Sequence, residues 1–285
     1  MSLKIIDTHP HVASHDNVRY PIKPLGEKRS DWSHERAVTT EELIAAMDEA
    51  RVEKAALVHS STTYGFACDY VADAIAAYPD RLTGVFSVNV LEPDATTKMR
   101  EWFAQGLTGM RIYIKGRTVT QAWMSLEDPR LIAVYECAEE LGITIALNAA
   151  AADGFEQLEA VLTKFPKVRF FLDHAGRGDF SGGRPFTAAT PLLKLGKYPN
   201  LYLKVTSVNF LSKGKGWEQP IPVLNALVSE FGANRLAWGS NFPATVGTLT
   251  ELVELAKIGF SGLSAKDQEW VFGGTALSLY PALQA

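Results

Sequence analysis

Eight short apolar runs, most of them followed by a helix-like segment, are the feature that most limits the folds open to this chain. They are 3–7 (LKIID), 54–60 (KAALVHS), 82–90 (LTGVFSVNV), 107–114 (LTGMRIYI), 143–148 (ITIALN), 168–174 (VRFFLDH), 201–208 (LYLKVTSV) and 235–239 (RLAWG). Most are continuously apolar rather than alternating, as parallel strands buried on both faces are. Helix signals fill the gaps. Thr39-Thr40-Glu41-Glu42 is a capping-box pattern ahead of LIAAMDEA. Pro93-Asp94 and Asp128-Pro129 open helices that end before Gly106 and at Gly142. Segments 154–165, 220–231, 248–258 and 264–280 read the same way, and 68–78 is a weaker, alanine-rich case. Eight strands alternating with about eight helices predict an α/β fold, a single (β/α)8 TIM barrel occupying residues 1–285. A doubly wound open sheet would carry a glycine-rich first turn, and here that turn reads DTHPH.

Composition excludes several functions. The 285 residues are 47% hydrophobic with a net charge of −4, and the isoelectric point is near 5.9. No basic footprint for nucleic acid or for an anionic membrane surface is present. No apolar run reaches the length of about 18 residues that a membrane span needs. Cys68 and Cys137 form no CxxC pair, and Asp7 and His9 interrupt any signal-peptide apolar region. The expectation is a cytoplasmic protein, with homo-oligomer formation left open.

In a barrel, residues just past the C-terminal ends of different strands converge on one axis. His9 and His11 follow the first run, His59 ends the second, His174 ends the sixth and Asn241 follows the eighth. An extended His-x-His points both imidazoles to one side, where they can chelate one ion or clamp one substrate oxygen. Asp7 stands beside them as a partner for the imidazoles. Two long loops, 12–38 and 176–188, lie at the same face and are expected to act as lids.

The motifs DTHPHV, GMR (109–111), DHAGRG (173–178), WGSNFP (238–243) and the terminal GGTALSLY together resemble the amidohydrolase superfamily over residues 4–281. The nearest likeness is to its amidohydrolase-2 branch, which holds 2-pyrone-4,6-dicarboxylate lactonases, sugar-lactone hydrolases and isomerases, and metal-dependent decarboxylases. That resemblance implies catalytic roles for His9, His11, His174 and the strand-eight position. The family carries a base and metal-ligand aspartate there; this chain has Asn241, a neutral amide that cannot accept a proton. Asn148 replaces a strand-five histidine, and Lys115 is the lone candidate for a bridging ligand, so a two-metal centre is not expected. Two alternatives stay open. One is a single divalent ion, zinc by preference, on His9, His11 and His174. The other is metal-free operation, as described for the lactonase-like members.

Those members bind carboxylates through arginines. Arg111, Arg117, Arg177 and Lys204 are therefore candidates for holding a small carboxylated substrate. A lysine within an apolar strand must meet an anion. His59, Ser61, Tyr64 and Tyr113 are candidates for neutral hydrogen bonds to the same substrate. No GxSxG, GxGxxG or Walker motif occurs. The expected function is hydrolysis of a small carboxylated lactone or cyclic ester. The alternatives are lactone isomerisation, metal-dependent decarboxylation and a non-catalytic binding barrel.

Overall fold

The computed structural model describes residues 3–26, 28–114, 124–148 and 155–284. The eight expected runs form eight parallel strands in sequence order: β1 (Ile6–Asp7), β2 (Lys54–Val58), β3 (Leu82–Phe86), β4 (Gly109–Tyr113), β5 (Thr144–Asn148), β6 (Phe170–Leu172), β7 (Leu201–Thr206) and β8 (Leu236–Gly239). Hydrogen bonds close the cylinder between the segment after β1 and the end of β8. Thr8 Oγ1 donates to the Trp238 carbonyl at 2.6 Å, and His11 N donates to the Phe242 carbonyl at 2.8 Å. The Asp7 carboxylate accepts both His9 N (2.9 Å) and Ser240 N (2.8 Å). Among the described residues, no helix is long and apolar enough to cross a membrane.

The capping box forms as its sequence predicts: Thr39 Oγ1 accepts from Glu42 N, and Glu42 reaches back to Thr39 N. Gly142 ends Leu131–Leu141 in the left-handed conformation, φ 68°. The run at 264–280 differs from its expectation of one helix. It breaks into Ala265–Glu269, a wide turn over Trp270–Gly274, and Thr275–Leu279.

Side chains alternate between two cores. The outer one lies between strands and helices, and the inner one fills the barrel with Ile6, Ala56, Val58, Val85, Ala146, Phe171 and Ala237. Leu279, Tyr280 and Leu283 belong to that inner core and seal the end where the strands begin. The Tyr280 ring needs Gly109, because a Cβ there would stand 2.8 Å from Tyr280 Cε1. Above the apolar floor the inward positions become polar: Arg111, Asp173 and Lys204, all buried.

The two loops expected as lids are fastened walls in this structure. Residues 12–38 are tied to the stretch after β2: Lys23 N donates to Thr63 O (2.9 Å), Leu25 N to Ser61 O (2.8 Å), and Ser30 Oγ bonds Thr62 Oγ1 (2.9 Å). In the second loop Phe180 is buried beside Trp217, with ring centroids 5.4 Å apart. Phe180 N also donates to Lys215 O at 2.8 Å.

Candidate active site

His9 stands at the centre of the strand C-terminal ends. Its ring centroid lies 5.0 Å from those of both His11 and His174. The approach depends on Gly239 of β8, where a Cβ would lie 2.7 Å from His9 Cβ. The His11 Nδ1–H donates to the Val58 carbonyl at 2.8 Å, because a carbonyl can only accept. Its Nε2 is thereby left as an acceptor. His174 Nδ1 meets Thr206 Oγ1 at 2.7 Å. Asn209 supports that pair, accepting Thr206 N at 2.9 Å and donating Nδ2 to the His174 carbonyl at 2.8 Å. Both ring nitrogens of His9 are buried without a hydrogen bond.

The backbone that carries His174 leaves β6 abruptly. His174, Ala175, Gly176 and Arg177 all have positive φ, at 53°, 46°, 58° and 53°. Three of them are not glycine, and each costs on the order of 1 kcal/mol in this region. The Asn209 and Thr206 contacts hold the reversal in place. This is why β6 stops at Leu172 rather than at residue 174.

Beneath the histidines lies a buried ion cluster. Asp173 Oδ2 is 2.7 Å from Arg111 Nε, and Asp173 Oδ1 is 3.0 Å from Lys204 Nζ. His9 Nδ1 lies 3.6 Å from the same Oδ1, within ion-pair range but too long for a hydrogen bond. Arg111 Nη1 also donates to the Tyr113 hydroxyl at 3.1 Å, with the guanidinium 4.8 Å over that ring. Burial pushes the Asp173 carboxyl up, but Arg111 and Lys204 override it and hold it well below the usual carboxylate range. Burial lowers Lys204, opposed first by Asp173 and less by Asp7. Burial, then the Lys204 charge, holds His9 well below an ordinary imidazole. Burial followed by Arg111 brings His11 to about 3, burial against the pull of Asp173 brings His174 to about 3, and burial brings His59 to about 4. These imidazoles are neutral at physiological pH.

That neutrality has a consequence for stability. Unfolded imidazoles take up protons near pH 6.5, whereas the folded ones wait until about pH 3 to 4. Between those values the unfolded state binds more protons, so stability falls as pH drops below 6.5. Each such histidine removes about 1.4 kcal/mol per pH unit in that window. Asp173 contributes nothing there: its depressed value makes its stabilisation full above the unfolded carboxylate value and lost only as pH falls through the lower folded one. Urea midpoints are expected to decline steeply from pH 6.5 to 5. A flat profile would mean that these histidines are charged in the folded chain.

The remaining candidates divide by their partners. Lys204 and Arg111 were expected to hold substrate carboxylates; the structure pairs both with Asp173. Asn241 has φ 57°, and its Nδ2 donates to Thr245 Oγ1 at 2.9 Å. His59 Nε2 donates to the Gly65 carbonyl at 2.9 Å, and the Tyr64 hydroxyl accepts Ser14 N at 2.7 Å. Ser61 is buried with its hydroxyl unpartnered. Tyr113 is buried and Arg177 half-buried, close enough to His174 for its charge to lower that imidazole. Lys115 and Arg117 lie outside the described residues. Two site residues escaped the sequence reading. Asp173 stood in plain view within the DH pair, and the buried Lys204 was the signal that an anion had to be near. Trp32, in the 12–38 loop, stacks on His11 at 5.4 Å with 28° between planes.

The donor set does not fit a divalent ion as it stands. The carboxylate is already shared by two cations, the strand-eight residue is a neutral amide, and Lys204 and Arg111 set a positive field on His9 and His11. Among the described residues, no group of three or more His, Cys, Asp or Glu is arranged to hold a metal.

A curated relative, 4-sulfomuconolactone hydrolase of Rhizobium radiobacter, is 25% identical over 238 residues, 83% of this chain and 75% of its own length. Among solved structures, a probable 2-pyrone-4,6-dicarboxylic acid hydrolase from Acinetobacter baumannii, with citric acid bound, superposes with a TM-score of 0.80 at 22% identity over 98% of this chain and 99% of that one. An amidohydrolase from Burkholderia multivorans with bound zinc superposes with a TM-score of 0.77 at 18% identity over 98% and 99%. These two establish likeness of fold. The amidohydrolase family model matches residues 6–282, and with that span, from the first strand to the segment that seals the barrel, the chain belongs to the amidohydrolase family.

Proposed function

We propose that this chain is a lactonase that hydrolyses a small carboxylated lactone through its own side chains. The observation that carries the reading is the pairing of neutral histidines with a buried excess of cations. His9, His11 and His174 sit together over one carboxylate, Asp173, that is shared by Arg111 and Lys204. Such a floor favours an anion over a cation. The 4-sulfomuconolactone hydrolase relative and the citrate-bound pyrone-dicarboxylate hydrolase neighbour, both named for lactone or pyrone acids, support the same substrate class.

The chemistry needs a nucleophile, a proton acceptor and a positive field. Water attacks the lactone carbonyl carbon. Its proton passes to a His9 ring nitrogen, and Asp173 beside Nδ1 stabilises the imidazolium that forms. The oxyanion develops above Arg111 and Lys204, and Arg177 at the rim attracts the substrate carboxylate. The ring C–O bond then breaks, and the departing oxygen recovers the proton from His9. The product is the open-chain acid. Trp32, stacked on His11, offers a flat wall to a planar ring.

A second reading rests on Asn241. Its amide is pinned to Thr245 and takes no proton, so a substrate hydroxyl can replace water as the nucleophile, giving ring migration instead of opening. NMR of a panel of carboxylated lactones separates the two. Appearance of the open-chain acid is expected. Conversion to an isomeric lactone without that acid would establish the isomerase, and no turnover on any member would remove both readings.

A further inference from the structure

A neutral imidazole carries one hydrogen, and the partner of one ring nitrogen decides what the other nitrogen can do. At His11 the decision is forced: Nδ1–H donates to the Val58 carbonyl, so Nε2 can only accept. His174 is held differently. Its Nδ1 meets a hydroxyl, Thr206 Oγ1 at 2.7 Å, and a hydroxyl can either give or take a hydrogen. Thr206 ends β7 and Asn209 follows three residues later, both buried. The Asn209 amide has one orientation. Its Nδ2 donates to the His174 carbonyl at 2.8 Å, so Oδ1 is the atom that accepts Thr206 N at 2.9 Å. That oxygen stands 3.4 Å from Thr206 Oγ1, too far for a good hydroxyl bond. If Nδ1–H pointed at the hydroxyl, the hydroxyl hydrogen would be left with only this distant acceptor, a costly state for a buried group. The reverse arrangement satisfies both atoms. The hydroxyl donates to Nδ1, and the ring's own hydrogen stands on Nε2.

We propose that Thr206 and Asn209 are positioning residues that fix His174 as a hydrogen-bond donor, presenting Nε2–H to the substrate oxygen that gains charge, opposite to His11, which the Val58 carbonyl fixes as an acceptor. The three histidines then differ in role although they share one centre. His9 stands 5.0 Å from each of the others and has no hydrogen bond on either nitrogen to set its tautomer, which suits a group that takes and returns a proton. A donor to a developing oxyanion needs the reverse property: its hydrogen must already be in place and stay there. Asn209 also tethers the carbonyl of His174, the first of the left-handed residues at φ 53°. One amide thus sets where the ring stands and which of its nitrogens bears hydrogen. The kinetic consequence rests on the lactonase reading, but the tautomer is read by spectroscopy without a substrate. Failure on every lactone would remove the proposed function and leave the tautomer to be decided on its own.

The test is long-range proton–nitrogen NMR correlation at neutral pH on enzyme labelled with nitrogen-15 histidine, the signals assigned through His11→Gln and His174→Gln. Wild type is expected to carry the hydrogen on Nε2 of His174 and on Nδ1 of His11. Thr206→Val removes the hydroxyl and keeps the branched shape. His174 should then show more than one tautomer, and kcat should fall about 10–100-fold with KM near its original value. Thr206→Ser, which keeps the hydroxyl, should restore the single tautomer and most of kcat. Asn209→Ala should broaden the His174 signals and lower kcat in the same direction. A loss of packing alone would not move the hydrogen from one nitrogen to the other. Wild-type His174 with its hydrogen on Nδ1 overturns the proposal, whatever the variants do. A Thr206→Val chain that is folded by circular dichroism overturns it equally if it keeps either the wild-type kcat or a single sharp Nε2–H signal. Should that variant fail to fold, the wild-type spectrum and the Thr206→Ser chain decide.

Discussion

Asp173→Asn is expected to be the most destabilising single substitution in this site. The carboxylate is fully buried, and it is the partner of both Arg111, at 2.7 Å, and Lys204, at 3.0 Å. An amide of the same shape leaves two buried cations facing each other across a neutral group. Removing one member of a buried pair costs about 3–5 kcal/mol, because the other is left uncompensated. For a chain of this size that corresponds to a melting temperature lower by about 5–8 °C, read by calorimetry. A double-mutant cycle identifies the cause. Adding Lys204→Met to Asp173→Asn removes one of the stranded charges, so the double variant should be more stable than the sum of the single losses requires. Simple additivity would mean that the two groups do not act on each other, and the ion cluster would lose its meaning as a unit.

His9→Gln should do the reverse, leaving the fold and stopping the chemistry. Neither His9 ring nitrogen makes a hydrogen bond, so its replacement breaks none. The stability change is expected to stay within about 1 kcal/mol. A glutamine cannot take a proton from water. If His9 is the acceptor, kcat falls by about 10²–10⁴ while KM stays near its original value. Retention of kcat would move the proton to His11 or His174, both of which present a neutral imidazole at the same centre. Set beside Asp173→Asn, the pair separates a residue that organises the floor from one that handles the proton.

The barrel was legible because its strands are covered on both faces. Stretches such as ITIALN and LYLKVT have nowhere to be polar except where they point into the barrel mouth. The meeting of His9, His11 and His174 followed from the same geometry, since strand ends converge whatever their separation in sequence. Asp173 was harder. An aspartate next to a histidine reads as that histidine's helper, and a lysine 31 positions further on has no visible link to it. Only the register Leu172↔Leu203 sets residues 173 and 204 side by side on the inner face. The positive charge of Lys204 and Arg111 was therefore assigned to a substrate when the chain supplies its own counter-ion. His59 and Tyr64 were hidden for another reason. Their polar atoms bond the backbone of neighbouring loops, a use that leaves no pattern in the sequence. The left-handed run at 174–177 was equally invisible, because a single glycine in DHAGR announces one such residue and not four.

The seam between β1 and β8 bears on the order in which this molecule is assembled. The bond from Ser240 N to the Asp7 carboxylate joins residues 233 apart, and that from Thr8 to Trp238 joins residues 230 apart. Bringing such distant points together carries about 5 kcal/mol of loop entropy, repaid only when everything between is already in place. Neighbouring strands, each a few tens of residues apart, can pair far earlier along the folding route. His9 is tied to that seam through its N–H to Asp7, which also accepts from Ser240, so its imidazole settles beside His174 only when the two ends of the barrel meet. A chain with all eight strands paired in sequence order and the seam open would carry nearly all of its helices but would lack His9 in its place beside His174. Recovery of turnover during refolding would thus time the last closure, well after spectroscopic signals of secondary structure had levelled off.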